Sequence, residues 1–423
     1  MYEYDVVIIG GGTAGVVAGI QAGRAGAKCL LIEKSGILGG TITLAGVNFP
    51  GLFHAWGKQV IAGIGWELVS QCKKECREYL QDFSSIPNSH VEQQIRINPA
   101  IFAALCDEAI ADAHVTLLLH SMIASVAPYK NGWQLTLCTK TGLLKTSANV
   151  LIDCTGDANA VSIAGFPLRV PTGCQPATLM SHASGYSADK VDIDSATKNY
   201  DNQVQQGKLK YTDAGWHSDC ISMKRWLDLA GDNAGHITGI NARDSKGKTI
   251  LEVEARKSML RLYRFLKTQR GLENLNIDSI ASECGVRETA TIIGKKTVTE
   301  DDYVSGRIWE DAVCYSFYPI DLHTADGTGL DCRPLAKGIV PTIPRGAMLP
   351  QDSKNLIAAG RCLSSDRLAN SALRTQATCM ATGQAAGAMA ALAVQTGKDV
   401  EALCINEIHT LLKAHAAIVP NLP

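Results

Sequence analysis

The sequence predicts an α/β fold in which a parallel sheet with an attached antiparallel meander is combined with an inserted α+β domain. Three observations lead to this prediction. An apolar strand runs through a glycine-rich turn into a helix near residue 10, and three short alternating strands follow one another between residues 123 and 146. Residues 166–330 are more polar and irregular than the rest, as expected for an inserted substrate or cap domain. The length of 423 residues is enough for two or three domains.

Composition and charge narrow the class of protein. Hydrophobic residues make up 46 % of the chain and charged residues 19 %, which is typical of a folded globular protein. The formal net charge of −1 gives no broad attraction to phosphate backbones, so we predict no nucleic-acid partner. The 14 cysteines are spread singly without a CxxC pair, which favours free thiols in a reducing compartment and no metal site.

Two uncharged stretches resemble membrane segments in composition. Residues 6–23 are preceded by acidic rather than basic residues, whereas a signal peptide begins with a basic region. Residues 375–397 are rich in Ala, Gly, Thr and Gln, which suits a close-packed interior helix better than a membrane span. We therefore expect no membrane span and a cytoplasmic location.

A nucleotide-binding pattern lies near the amino end. An apolar strand at 5–9 runs into Gly-Gly-Gly-Thr-Ala-Gly at 10–15, and a helical pattern continues to about residue 24. A second apolar strand at 29–32 ends at Glu33. This is the order of strand, G-x-G-x-x-G turn, helix, strand and acid that is typical of a dinucleotide-binding unit.

Each glycine of this motif, and the acid that follows it, has a physical role. Gly10 permits the tight turn, Gly12 lets a pyrophosphate approach the backbone, and Gly15 lets the helix pack closely on the strand. The helix N-terminus offers free N–H groups to phosphates, and the carboxylate of Glu33 can accept hydrogen bonds from ribose hydroxyls. The predicted contacts of this unit are Gly10, Gly12, Thr13, Ala14, Gly15 and Glu33.

The residues that follow favour FAD over NAD. A glycine pair just after the acid gives backbone that can pass close to a long cofactor. The stretch from Lys34 to Thr41 resembles the Glu-Lys…Gly-Gly signature of the glutathione-reductase-type FAD fold. This resemblance adds Lys34, Gly39, Gly40 and Thr41 to the predicted cofactor contacts.

The next part of the chain supplies further elements. Residues 57–81 suit a helix, and Asn98-Pro99 is typical of the start of another helix, which we expect to end near residue 112. Strands are expected at 115–119, 123–126, 134–138, 143–146 and 149–154.

This order resembles the same FAD fold, a Rossmann-like domain built as a three-layer ββα sandwich with an antiparallel meander. By resemblance, the backbone of Val115 would lie beside the adenine. Thr155 and Gly156, at the end of the last strand, would approach the adenine half of the cofactor. Asp157 would either cap this loop or support the cofactor site.

More specific motifs occur after residue 283. They are Gly285-Val286-Arg287-Glu288-Thr289, Asp321-Leu322-His323, Ala359-Gly360-Arg361, Ser371-Ala372-Leu373-Arg374 and Gly383-Gln384-Ala385-Ala386-Gly387. Together with the earlier units, they resemble the FAD-dependent oxidoreductase family, relatives of the fumarate-reductase and succinate-dehydrogenase flavoproteins, over about residues 4–395.

The resemblance implies a discontinuous FAD-binding domain. Residues 1–165 and 333–423 would form it, and residues 166–332 would form the substrate or cap domain. It places Gly360, Arg361 and Ala372 near the flavin. Ser371 would cap a helix that runs to about residue 394, with its N–H groups facing the flavin.

Four residues are candidates for catalysis because flavin chemistry needs a positioned substrate, an acid or base, and groups that offset charge. His323, oriented by Asp321, is the candidate acid or base. Arg287 and Arg374 are suited to clamp a carboxylate or polarise a carbonyl.

Alternatives to these roles remain open. His323 could only bond a backbone carbonyl, and Arg287 could simply pair with Glu288 or Glu283. His182 and His217 are weaker candidates in the inserted region.

We predict non-covalent FAD, because Thr41-Ile42-Thr43 stands where covalent relatives bear a histidine. No second G-x-G-x-x-G follows a strand, so the electron donor or acceptor stays open. The predicted activity is a dehydrogenase or reductase that transfers a hydride between FAD and a small polar substrate. The alternatives are a flavin monooxygenase reduced by external NAD(P)H and a flavoprotein with a macromolecular partner; a homo-oligomer is also open.

Overall fold

The computed structural model describes residues 2–87, 89–216 and 223–423 of the chain. Its strands are β1 (Tyr2–Ile9), β2 (Cys29–Ile32), β3 (His54–Ala55), β4 (Lys58–Gln59), β5 (Thr116–Leu118), β6 (Met122–Tyr129), β7 (Gly132–Thr139), β8 (Gly142–Asp153), β9 (Leu168–Arg169), β10 (Ser181–Ser184), β11 (Gly231–Asp232), β12 (Asn276–Ile280), β13 (Thr291–Ile292), β14 (Ala312–Tyr315), β15 (Ile320–His323), β16 (Leu330–Arg333), β17 (Thr342–Pro344) and β18 (Leu356–Ala358).

The α-helices of the described ranges are α1 (Thr13–Arg24), α2 (Ile64–Glu75), α3 (Pro99–Asp112), α4 (Asn159–Ile163), α5 (Ile193–Gln205), α6 (Met223–Asp228), α7 (Ser245–Leu266), α8 (Glu300–Val304), α9 (Arg367–Leu373), α10 (Gln376–Thr396) and α11 (Ile405–Ala414). The predicted start of α3 is confirmed, because the side chain of Asn98 accepts from the N–H groups of Ala100 and Ile101 and Pro99 follows as the first helical residue.

A seven-stranded sheet organises the fold in the order β5-β2-β1-β8-β7-β6, and β18 pairs with β8 as well. The strands β5, β2, β1, β8 and β18 are parallel, as an α/β fold requires. The first half of β8 pairs antiparallel with β7, and its last three residues pair with β18. The strands predicted separately at 143–146 and 149–154 are therefore one strand, because no glycine or proline interrupts the ladder between residues 143 and 153.

Side chains of β1 alternate between two apolar cores. Val6 and Ile8 pack with the helices of one face, whereas Val7 and Ile9 pack with the side of the meander that carries Trp133. A strand covered on both faces is apolar throughout, which explains its unbroken hydrophobic run. The parallel sheet thus packs against helices on one face and against the meander on the other, which gives three layers. The predicted fold class is confirmed.

Helix α10 packs against α1 through glycines. A Cβ on Gly383 would lie 2.2 Å from the carbonyl oxygen of Ala14, and one on Gly387 would lie 2.3 Å from that of Ala18. In the described part of the chain, α10 is long and apolar enough to cross a membrane, but 83 % of its most apolar window is buried inside the protein. The expected close-packed interior helix is thus confirmed.

Predicted boundaries of two helices were wrong. The helix expected at 57–81 ends at Glu75 and begins only at Ile64, because the preceding residues include the β3–β4 hairpin and Gly63 adopts a φ of +81°. Ser371 is not the cap of the long helix, because it lies inside α9, and Thr375 is the N-cap of α10. The short break between the two helices places Arg374 at their junction.

Part of the central region has its own core. Residues between 183 and 275, including Tyr200 and Phe265, form an apolar cluster without members from the ends of the chain. Residues such as Tyr303 and Val313 instead belong to the large core beneath the helices. The predicted division at residues 166–332 stays a prediction.

Candidate functional site

The glycine-rich turn after β1 has no room for side chains at two positions. Gly10 adopts a φ of +100°, and a Cβ there would lie 2.6 Å from the carbonyl oxygen of Cys154. A Cβ on Gly15 would lie 1.8 Å from the carbonyl oxygen of Gly10. Gly12 differs, because its Cβ would meet only the Cα of Gly40, at 3.9 Å. The backbone of Gly12 therefore borders open space at the helix N-terminus.

The two glycine motifs lie against each other. The N–H of Gly39 donates to the carbonyl oxygen of Gly11 at 2.9 Å. Gly40 has a φ of +55°, and a Cβ there would lie 2.7 Å from the Cα of Gly12. Thr41 is exposed beside them. The sequence separates the motifs by more than twenty residues, but the fold joins them into one glycine cradle.

Glu33 stands at the carboxyl end of β2, next to this cradle. Its carboxylate is buried and accepts from the N–H of Gly11 at 2.6 Å and from the N–H of Ser35 at 2.8 Å. Lys34 turns away and pairs with Glu283 at 2.8 Å. The carboxylate is thus fixed beside the turn, whereas the ammonium group links the cradle to the 283–289 segment.

The position of Val115 does not fit its predicted contact with adenine. It precedes β5, whose residues Thr116 and Leu118 pair with Leu30 and Ile32 of β2. Val115 therefore lies at the amino edge of the parallel sheet, opposite the edge that carries Glu33, and packs under α1. Residues 119–122 lie at the carboxyl edge of the sheet together with Glu33, and there the N–H of Ser121 donates to the carbonyl oxygen of Glu33.

The loop after β8 is held by a buried carboxylate. Asp153 accepts from the N–H and hydroxyl of Thr155 and from the N–H of Val161. Burial raises the pKa of Asp153 above its usual range. Gly156 follows with a φ of +75°, and Asp157 bonds to Arg361. Asp153 was missed from the sequence because its bonds to Thr155 and Val161 form only in the folded loop.

Arg361 and its neighbours occupy the same edge. Gly360 has a φ of +85°, and a Cβ there would lie 3.1 Å from the Cβ of Ala14, so the loop after β18 approaches the start of α1. Nη2 of Arg361 donates to Asp157 at 2.5 Å. Ala372 has no exposed surface within α9, and this position does not fit the predicted cofactor contact.

The four candidate catalytic residues come together although they lie far apart in the sequence. Nη2 of Arg374 donates to the carbonyl oxygen of Asp321 at 3.1 Å and lies 3.5 Å from its Oδ2. Nε2 of His323 lies 3.8 Å from Oδ1 of Asp321. Nη1 of Arg287 donates to the carbonyl oxygen of Pro176, the residue after Gln175, whose side chain bonds to Arg374. Burial and the charge of Arg374 lower the pKa of Arg287 to about 10.

Arg287 does not pair with Glu288 in the structure, and His182 lies apart from the cluster. Nη1 of Arg287 donates to the carbonyl oxygen of Pro176 at 2.7 Å, whereas Glu288 makes a two-point ion pair with Arg367. His182 is exposed and lies 3.3 Å from Asp278, away from the cluster. His217 lies outside the described residues.

Gln175 is a member of the cluster that the sequence did not reveal. It is 3 % exposed, and its Oε1 accepts from the backbone N–H of His323 and from Nη2 of Arg374, each at 3.3 Å. The backbone N–H of Gln175 donates to Oε2 of Glu288 at 2.9 Å. Ser371 is a second such residue, since its hydroxyl accepts from the N–H of Asp321 at 3.0 Å.

Aromatic rings enclose the cluster. The ring of His236 lies edge-on to that of His323, with centroids 4.8 Å apart, and Trp216 flanks both. Burial and the charge of Asp321 raise the pKa of Tyr318. His90 packs edge-on against Tyr318. The cluster is therefore a shielded group of donors and titratable side chains.

Comparison with known proteins decides the family. The profile of the family described as FAD dependent oxidoreductase matches residues 5–412, nearly the whole chain. The chain belongs to this family.

Curated relatives of this FAD-dependent oxidoreductase match it only in short segments. A mitochondrial dihydrolipoyl dehydrogenase from Dictyostelium discoideum is 59 % identical over 39 residues, which are 9 % of this chain and 8 % of that protein. One from Arabidopsis thaliana is 57 % identical over 54 residues, which are 12 % of this chain and 11 % of that protein. The chain thus spans about a tenth of the length of these relatives.

Solved structures are similar to this FAD-dependent oxidoreductase over its whole length, but at low identity. A geranylgeranyl bacteriochlorophyll reductase-like protein from Thermoplasma acidophilum has a TM-score of 0.46 at 14 % identity, covering 98 % of this chain and 84 % of that one. A p-nitrophenol 4-monooxygenase from Pseudomonas putida has a TM-score of 0.42 at 10 % identity, covering 98 % and 87 %. Neither likeness is close enough to indicate a substrate.

FAD is the cofactor of this oxidoreductase, and the cradle fits it. Gly10, Gly15 and Gly40 exclude side chains from the turn, and Gly12 leaves its backbone open to a pyrophosphate. The first N–H groups of α1 have no acceptor within the helix, which suits phosphate oxygens. The carboxylate of Glu33 lies where a ribose is expected after such a turn.

Proposed function

We propose that this FAD-dependent oxidoreductase is a dehydrogenase or reductase that acts on a small polar organic molecule. When bound, FAD supplies the hydride acceptor or donor for this class of reaction. The observation that supports the proposal is the convergence of Arg287, Arg374, Asp321 and His323 in one shielded group. Residues 166–332 would form the domain that brings substrate to this group.

His323 is the proposed proton donor or acceptor. Its side chain is 6 % exposed, and its Nε2 lies 3.8 Å from the carboxylate of Asp321. A carboxylate at this distance is too far away for a hydrogen bond to the ring, but its negative charge attracts a positive charge that the ring carries after accepting a proton. The bond from the N–H of His323 to Gln175 and the bond from the N–H of Asp321 to Ser371 hold this part of β15 in place.

Arg287 and Arg374 are the proposed substrate-binding residues. Each guanidinium is anchored on one side, Arg287 by the carbonyl oxygen of Pro176 and Arg374 by Asp321. Anchored guanidinium groups lose little freedom when they bind a carboxylate or a carbonyl oxygen. They would fix the substrate beside His323 and offset negative charge that develops during the reaction.

We propose that FAD is held without a covalent bond, since no histidine stands in the segment from Thr41 to Thr43. The proposed contacts are those of the cradle, Glu33, and the loops with Thr155, Gly156, Gly360 and Arg361. Every cysteine of the described ranges is a free thiol, which supports a cytoplasmic location.

The test is an anaerobic screen of the purified yellow protein. Sugars, hydroxy acids and enoates are mixed with oxidised or pre-reduced holoprotein, and flavin absorbance is followed. Bleaching or reoxidation by one of these classes is expected. Rapid bleaching by NADPH alone, followed by oxygen uptake, would instead support a monooxygenase. Nanomolar RNA binding with a steep salt dependence would support a macromolecular partner and contradict the proposal.

A further inference from the structure

The cluster contains a buried hydrogen-bond donor without a partner. Nε2 of Gln175 makes no hydrogen bond to any described residue, although the side chain is 3 % exposed. Nε of Arg374 is also buried and makes no hydrogen bond to any described residue. Buried donors normally have partners, and leaving one unpaired in the folded protein is costly. Two such donors side by side indicate a ligand with acceptor atoms.

The orientation of the Gln175 amide is fixed by its surroundings. The backbone N–H of His323 and Nη2 of Arg374 both donate to the same amide atom, each at 3.3 Å. A backbone N–H and a guanidinium can only donate, so this atom must be the oxygen. Nε2, the remaining amide atom, therefore carries the NH2 group and lies next to the guanidinium of Arg374. As a donor, this NH2 group needs an acceptor other than that guanidinium.

Charge makes the expected ligand an anion. Arg287, anchored on the carbonyl oxygen of Pro176 next to Gln175, and Arg374 contribute two positive charges. Asp321, 3.5 Å from Arg374, is the carboxylate beside them among the described residues. The nearby Glu288 is already neutralised by its two-point pair with Arg367. One positive charge is left without a counter-charge in a shielded place, where a bound anion is strongly favoured.

We infer that Gln175 is a specificity-determining residue whose NH2 group, together with Arg287 and Arg374, binds the carboxylate of a monocarboxylate substrate. The inference rests on the proposed function and names its substrate class. Through its oxygen, Gln175 also sets the positions of Arg374 and of the His323 backbone, so that carboxylate binding and the proton-carrying imidazole are aligned by one side chain.

The test measures ligand binding to the FAD-loaded full chain rather than turnover. Acetate, glycolate, lactate and crotonate, each beside its carboxamide, are titrated while flavin absorbance and heat are recorded. Wild-type protein is expected to bind at least one carboxylate more tightly than its amide. Gln175→Met, which cannot donate, should weaken that carboxylate about 10- to 100-fold, the range for a hydrogen bond to a charged group.

Two further variants separate donation from positioning. Gln175→Glu keeps an oxygen toward Arg374 but replaces the donor by an acceptor, so the preference should shift from carboxylate toward carboxamide. Gln269→Met removes a buried glutamine of the inserted region, which bonds to Asn199 and to the carbonyl of Phe265, and should leave the carboxylate affinity unchanged. FAD content is measured for every variant.

Three outcomes would overturn the inference. In the first, wild-type protein binds none of the carboxylates. In the second, Gln175→Met changes their affinity less than threefold. In the third, Gln175→Met loses FAD while the remaining holoprotein of this variant binds carboxylates normally. The last result would place the amide against the flavin. If neutral substrates bleach the flavin and no carboxylate binds, the inference fails while the proposed dehydrogenase or reductase activity stands.

Discussion

Nη2 of Arg361 donates a hydrogen bond to Oδ1 of Asp157 at 2.5 Å, joining two loops that lie 204 residues apart in the chain. Thr289 completes the contact, because its hydroxyl donates to the same carboxylate at 2.7 Å and accepts from Arg361 at 3.2 Å. The three residues come from the ends of β8 and β18 and from the segment that carries Arg287. This contact therefore connects the edge of the sheet that carries the glycine cradle with the candidate catalytic cluster.

Removing the carboxylate from this contact should destabilise the protein. In Asp157→Ala, the largely shielded guanidinium of Arg361 loses its counter-charge, and we expect a loss of about 1–3 kcal/mol in the free energy of unfolding. Urea denaturation of the holoprotein measures it. Asp189→Ala, at an exposed aspartate, is the control and should leave the stability nearly unchanged. Equal effects in both variants would contradict the prediction.

Gly12→Glu should yield a folded but colourless protein. The new Cβ would meet only the Cα of Gly40 at 3.9 Å, and the φ of Gly12 is −71°, so the protein itself accommodates a side chain. The carboxylate would occupy the pyrophosphate path and repel the phosphates. Circular dichroism and the flavin absorbance of purified protein test this, and a yellow variant would disprove the phosphate-loop assignment.

Gly383→Ala should disturb the packing of α10 on α1. Its Cβ would lie 2.2 Å from the carbonyl oxygen of Ala14, a backbone atom that moves only with the helix. Overpacking of this kind costs about 1–3 kcal/mol or more. Gly329→Ala is the matched control, because its Cβ would make one ordinary contact, at 3.6 Å from Thr324. Thermal midpoints of the two variants that agree within 1 °C would contradict this prediction.

The cofactor cradle could be predicted from the sequence because its physics is local. Gly10, Gly12, Gly15 and Glu33 lie within one strand–turn–helix–strand unit, where spacing alone brings them together. Val115 was assigned incorrectly because the pattern located β5 but not which of its two ends faces the cofactor. Strand direction follows only from pairing with β2.

The candidate catalytic cluster could be predicted only in part. Asp321 and His323 stand in one recognisable motif, but Gln175 lies 148 residues before His323 and 199 residues before Arg374. A single glutamine in an irregular stretch has no periodicity or spacing to distinguish it. Its role arises from tertiary packing, which places its amide between two elements that the sequence does not connect.

Stability should fall in acid through His54. Its ring stacks on Phe83 with centroids 4.0 Å apart, and burial lowers its pKa to about 4. The unfolded chain, with a pKa near 6.5, binds a proton that the folded state excludes, so stability present above pH 6.5 is lost as the pH falls toward 4. His54→Phe keeps a stacking ring but does not titrate.

The difference in unfolding free energy between His54→Phe and wild type should therefore grow in favour of the variant from pH 7 to pH 4.5. All other titratable groups are shared, so the difference isolates this imidazole. Because His54 is only half-buried, the change should be smaller than the full pKa shift implies. Parallel pH profiles from urea denaturation would show that burial of His54 has no energetic consequence.

His323→Ala should slow flavin reduction or reoxidation without loss of the cofactor. The imidazole is a buried titratable group beside Asp321, whereas the cradle proposed to hold FAD is formed by other residues. Positioned acids and bases contribute about 100- to 10,000-fold, so stopped-flow rates with a substrate found in the anaerobic screen should fall at least 100-fold. His182→Ala, at an exposed histidine, should keep the wild-type rate. If His323→Ala keeps the wild-type rate, the imidazole has no part in proton transfer. Tyr318 then becomes the next residue to test, because the charge of the same carboxylate raises the pKa of its phenol.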